Sequence, residues 1–221
     1  PMSARRQRQM CIRDRNLIFS QITDSGRIDL RLAHISGFGV GMFLSAIAIW
    51  ICSMFELQWN YQWFVIAILC LVLTIPIISS PLEKGSEASI DHASQSNKLS
   101  LGFVGISVGY FFFGFGYIIF GTFIAALAVN TPALESIQHA SWILVGISAM
   151  PAIFIWQAFS KLTSNHISLA LSCFTCSAGI LILYFFDGIA ASLFACAAYG
   201  MGVVGIVGLV LMEGKILSLI H

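Results

Sequence analysis

Two thiols one helical turn apart, Cys173 and Cys176 in LALSCFTCSAG, have the spacing of a redox or metal pair. That chemistry needs polar neighbours to hold a thiolate, or a second pair to complete a ligand set. The flanking residues here offer almost none. Cys52, Cys70 and Cys196 likewise fall inside apolar runs, where cysteine behaves as a small hydrophobe. No metal and no cofactor is expected. Nor does any His, Asp, Glu, Lys or Arg sit in the middle of an apolar run, so the chain shows no catalytic residues and no obvious proton relay at depth.

The remaining polar chemistry is hydroxyl chemistry. GYFFFGFGYIIFGTF, residues 109–123, is nearly all apolar yet carries two tyrosines, a threonine and four glycines. At about 3.6 residues per turn, Ser107, Tyr110, Gly114, Tyr117 and Gly121 fall on one side of a helix. Phe112, Ile119 and Phe123 fall on the other. Two readings stand. The hydroxyl side lines a water-filled or solute-filled cavity in which the glycines leave room, or the tyrosines bond to neighbouring helices and the glycines pack.

The elements that carry these residues are set by composition. The chain is 58% hydrophobic and 10% charged, with a mean hydropathy of +0.89; a soluble domain has about 25% charged residues. Six apolar runs approach or exceed the roughly 20 residues that cross a bilayer: 35–55, 59–79, 101–129, 141–159, 167–186 and 189–212. In hydrocarbon such runs must be helices. The expected class is all-α: a polytopic helical membrane protein with six transmembrane helices.

Basic residues alternate between connections. Arg27 and Arg31 precede the first run, Lys84 and Lys98 follow the second, Lys161 follows the fourth and Lys215 the sixth. ELQWNYQ, NTPALESIQHA and the Asp187-Gly188 turn contain none. The positive-inside rule makes the basic connections cytoplasmic. Trp59, Trp63 and Trp142 at span ends suit the headgroup belt. The connection 81–100, PLEKGSEASIDHASQSNKLS, is Ser-rich and without apolar period, a cytoplasmic linker between two helical bundles, 16–80 and 101–221.

Residues 1–15, PMSARRQRQMCIRDR, stand apart with five Arg and one Asp. RRQRQMCIRD resembles one reading frame of a transposase sequencing adaptor, and the stretch is expected to be foreign to the protein. The alternative is a basic juxtamembrane arm that favours anionic lipid. Without it the net charge is −3, which argues against a nucleic-acid partner.

Small residues at four-residue spacing mark helix contacts in lipid. The candidate packing faces are Gly37, Gly41 and Ser45; Gly105 and Gly109; and Ala198, Gly202 and Gly205. Pro76 and Pro151 should kink their spans.

Several stretches resemble a known family. GFGY at 114–117 followed by Thr122-Phe123 is similar to the seventh-helix signature of the YbfB/YjiJ-type branch of the major facilitator superfamily. HISGFGVGMFLSAIAIW resembles that branch's fifth helix, SWILVGISAMPAIFIWQAF its eighth and YGMGVVGIVGLVL its tenth. The resemblance covers 16–221 and implies a secondary active transporter of a small organic solute. Its fold would be twelve helices in two halves, with alternating access around a midplane site. The chain would then be a truncated piece, about helices five to ten, and inactive by itself. The resemblance places Ser107, Tyr110, Gly114, Gly116, Tyr117, Gly121, Thr122 and Tyr199 along the solute path. It also has the fifth and eighth helices meet across the two halves. The partners it implies are the lipid bilayer, the solute and a coupling proton or cation; the implied location is the bacterial inner (plasma) membrane. A membrane scaffold or membrane-embedded enzyme is the alternative. Two features depart from the family's pattern: SKLTSNH lacks the acid and glycine of a gating loop, and TFIA lacks the proline that commonly follows Thr-Phe.

Overall fold

The computed structural model describes residues 28–79, 101–186 and 188–219. The expectations for 1–15, for 16–27 and for the linker 81–100 fall outside the described residues. Among the described residues the chain is entirely helical, with six α-helices. They are α1 Ile28–Met54, α2 Trp59–Ser79, α3 Leu101–Asn130, α4 Gln138–Leu162, α5 Asn165–Phe185 and α6 Ile189–Leu219, with a 3-10 segment Pro132–Ile137 ahead of α4.

Five of these are long and apolar enough to cross a membrane; α2 is apolar over the shorter stretch Trp59–Ile75, within a helix of 21 residues. The protein is a polytopic helical membrane protein. The helices α1, α4 and α6 overrun their apolar cores, because hydropathy marks only the hydrocarbon part of a helix. The polar turns beyond it continue the same hydrogen-bond ladder into the headgroup layer.

The connections are tight and internally bonded. At the end of α1, Glu56 takes φ 51°, its N–H donates to the Ser53 carbonyl at 3.0 Å, and Leu57 N–H reaches back to Cys52 at 3.1 Å. This is the Schellman closure usually given to glycine. The Gln62 side-chain amide then donates to the Leu57 carbonyl at 2.9 Å, fixing the start of α2 onto that turn. Between α4 and α5 only Thr163 and Ser164 intervene, and Ser164 caps α5 by accepting from Ile167 N–H at 3.2 Å.

Packing runs in a chain: α1 against α4, α4 against α6, α6 against α5. Lipid gives helices no hydrophobic reason to associate, so contact depends on close approach of backbones. The glycines show where that happens. A Cβ added at Gly39 would lie 2.6 Å from Met150 N, and one at Gly146 would lie 2.6 Å from Phe43 Cα. Gly200 of α6 rests on Val145 and Ser148 of α4; Gly202 rests on Cys176 of α5. Gly205 makes room for the Trp156 ring, whose Nε1–H donates to the Met201 carbonyl at 3.0 Å.

The buried stripe of α1 is Leu32, Ile35 and Gly39. Positions 37 and 41 point elsewhere: among the described residues nothing lies within 4 Å of a Cβ there, nor at Gly105 or Gly109 of α3. In SGFGVG, glycines alternate, so at about 100° per residue Gly39 faces some 160° away from Gly37 and Gly41. The partner helix, not the spacing, selects between them.

These contacts run α1 antiparallel to α4, since Gly39 meets 149–150 while Phe43 meets Gly146. Arg31 and Lys161 therefore share one end of the bundle, and the turns 55–58 and 131–137 share the other. That arrangement agrees with the alternation of basic connections.

Steric cost gives a direct check. Gly39→Ala and Gly146→Ala are expected to lose about 1–3 kcal/mol through overpacking against backbone. Gly37→Ala and Gly41→Ala should stay within about 0.5 kcal/mol of the parent. Thermal unfolding of the four variants in one detergent measures the difference, and equal melting of all four would refute the assigned contact face.

Candidate functional site

The helix α3 leans on this frame through few residues. Its buried positions are Phe120 and Ile124, with Phe113 and Tyr117 partly buried beside them. Their spacing of four, three and four residues is one helix face. Phe111, Phe112, Phe115, Ile118, Ile119 and Phe123 are exposed, which is the lipid-like side.

Tyr199 of α6 is the residue that receives α3. It is 1% exposed, stacked on Phe120 with centroids 4.2 Å apart and parallel to Tyr117 at 6.2 Å. Its hydroxyl donates to the Tyr117 carbonyl at 3.0 Å. A hydroxyl at that depth requires an acceptor, and the helix α3 supplies one because Gly121 has no side chain to screen it. A Cβ at Gly121 would stand 3.3 Å from the Tyr199 oxygen and 3.6 Å from Trp142 Cη2.

The residues assigned to the solute path divide accordingly. Tyr117, Gly121 and Tyr199 come together in one contact. Tyr110 is 40% exposed and packs its ring on Phe113 at 5.8 Å. Gly114 and Gly116 are half-buried with nothing near a Cβ, while Ser107 and Thr122 are exposed. Of the packing set, Gly202 and Gly205 lie in close contact, and Ser45 bonds its hydroxyl to the Met42 carbonyl of its own helix. Cys173 is exposed and Cys176 buried against Gly202. Among the described residues no three His, Cys, Asp or Glu cluster as metal ligands.

Sequence reading missed two partners in this contact. Phe120 is one of many phenylalanines in its stretch and nothing local distinguishes it. Trp142 reads as a belt aromatic, and its position against Gly121 follows only from how α4 crosses α3.

Long apolar helices joined by glycine-mediated contacts define a polytopic helical membrane protein, to which α3 is attached through few residues. A family model described as uncharacterised MFS-type transporter YbfB matches residues 9–219, and the chain belongs to that family. The match begins within residues 1–15. No curated protein and no solved structure matches the chain. The protein is thus an integral, multi-pass membrane transporter of the major facilitator superfamily.

Magnitudes rank what Tyr199 contributes. A hydrogen bond between membrane helices averages about 0.6 kcal/mol, whereas each aromatic pair adds about 0.5–1.5 kcal/mol beyond area burial. Tyr199→Phe should therefore cost about 0.6 kcal/mol, and Tyr199→Ala about 3–5 kcal/mol from the cavity it leaves. Thermal unfolding read with both variants tests this order, and a Phe variant as damaged as the Ala variant would show the hydroxyl to be dominant.

Proposed function

We propose that the protein is a secondary active transporter that moves a small organic solute by alternating access, with the hydroxyl and glycine side of α3 facing the solute route. The observation that carries this reading is the asymmetry of α3's attachment. The helix is held along one face at Phe113, Tyr117, Phe120, Gly121 and Ile124, while among the described residues Gly114 and Gly116 have no neighbour near a Cβ. A helix held along one narrow face, with open glycines beside it, can tilt about that face with little repacking.

In this reading Tyr117 and Thr122 offer hydrogen bonds to the solute, and the backbone at Gly114 and Gly116 admits its close approach. Tyr199 positions α3 and lies beside the route. The α1–α4 contact at Gly39 and Gly146 is the seam on which two halves of the molecule rock. The protein resides in the bacterial inner membrane with the 81–100 linker in the cytoplasm, as the distribution of Lys and Arg supports. The six apolar runs show no mid-depth ionisable residue, so a coupling proton or cation would be handled outside them.

Transport assays in cells expressing the gene test the assignment. Tyr117→Ala and Thr122→Ala should each lower uptake or efflux of the solute several-fold at unchanged membrane abundance. A cysteine at Ser107 should exchange reactivity between the two membrane faces when solute is added. Unaltered transport in both variants removes them from the route, and a Ser107→Cys thiol that never changes sides argues for a scaffold.

A further inference from the structure

A cavity of about 680 Å³ opens between the outer ends of α1, α2 and α4, with no residue of α3 in its lining. Three of the protein's five tryptophans, Trp59, Trp63 and Trp142, line it. Its volume lies in the range of about 300–1,000 Å³ typical of small-molecule sites. The helix α2 forms one wall and is held at its start by the Gln62 bond to the Leu57 carbonyl.

The polar groups on the walls are few, and some are committed. Ser45 and Ser53 bond their hydroxyls to carbonyls of their own helix, at 2.9 Å and 2.7 Å. The Gln62 amide nitrogen is engaged, which leaves its carbonyl oxygen. With Gln138 and His139 at the N-terminus of α4 and the indole N–H groups of Trp59, Trp63 and Trp142, that oxygen makes up the hydrogen-bonding capacity of the site. No Asp, Glu, Lys or Arg among the described residues lines the cavity. A charged ligand would find no carboxylate, ammonium or guanidinium counter-charge among these walls. Indole walls favour flat π-faces.

We infer that this cavity is a binding site for a neutral, planar aromatic molecule bearing a hydroxyl or amide group. The ring stacks among Trp59, Trp63 and Trp142, and the polar group meets Gln138, His139 and the Gln62 carbonyl. Trp142 belongs to both regions: it walls the cavity and packs on Gly121 of α3. An occupant therefore touches the residue against which α3 rests. The site stands on its own geometry and not on the reading of α3 as a solute route.

Binding is read without transport. The full chain in phosphatidylcholine nanodiscs is titrated with 4-nitrobenzyl alcohol, whose nitro group quenches tryptophan emission on contact, with correction for its absorbance. Saturable quenching is expected, at least tenfold weaker with 4-nitrobenzoate or 4-nitrobenzylamine. Ala46→Phe, which fills the cavity from α1, should weaken the apparent affinity at least tenfold with helical content retained. Ser45→Leu, on the same wall, serves if that variant does not fold. Linear quenching without saturation, equal binding of the charged analogues, or wild-type affinity in the folded filled variant overturns the proposal. So does displacement by 1-decanol as effectively as by benzyl alcohol, which would make the cavity a lipid site. Transport lost with binding intact, or the reverse, separates this site from the α3 assignment.

Discussion

Every feature of this molecule follows from a single constraint: in hydrocarbon a backbone amide has only another backbone group or a side chain to bond. Helices satisfy it within themselves, and among the described residues the chain is helical apart from short connections. Once satisfied, however, a helix has no hydrophobic incentive to meet its neighbours. The assembly must instead come from close van der Waals contact, and that is why backbone reaches backbone at Gly39 and Gly146 and side chain reaches backbone at Gly202. The polar exceptions are few and are placed where two helices meet. Trp156 donates across to Met201, and Tyr199 donates across to Tyr117.

The two bonds serve different ends. Trp156 sits inside the α4–α6 contact, where Gly205 and Gly208 allow the helices to run close over several turns. Its bond adds to an interface already secured. Tyr199, by contrast, stands at the place where α3 meets the frame, and the ring contacts around it supply much of that attachment. The contacts among α1, α4, α6 and α5 are steric and run through glycines, whereas α3 is held through a short aromatic anchor.

How much of this was legible in the sequence depends on range. The spans were legible because hydropathy is local: 59–79 was bounded as the structure has it, and the other runs lie within a turn or two of their helices. The sharing of ends between Arg31 and Lys161 was legible from charge alternation. The contact faces were not. GFGVG and the glycines of α3 present several small-residue faces, and only the crossing partner decides which is used. The stripe through Tyr110 and Tyr117 was visible as a period, but its anchoring through Phe120 and Tyr199 joins helices far apart in the chain. The outer cavity was invisible for the same reason: its three indoles come from two helices that line one cavity only in the fold, and each read as an ordinary interfacial aromatic.

Side-specific labelling tests the membrane architecture most directly. In a background with the native cysteines replaced, single cysteines at Gln58, Ser136 and Thr163, all exposed in the connections between helices, are reacted with an impermeant maleimide in oriented vesicles. The account requires the cysteines at Gln58 and Ser136 to react from one face and that at Thr163 from the opposite face. Reaction at Gln58 and Thr163 from the same face would contradict it.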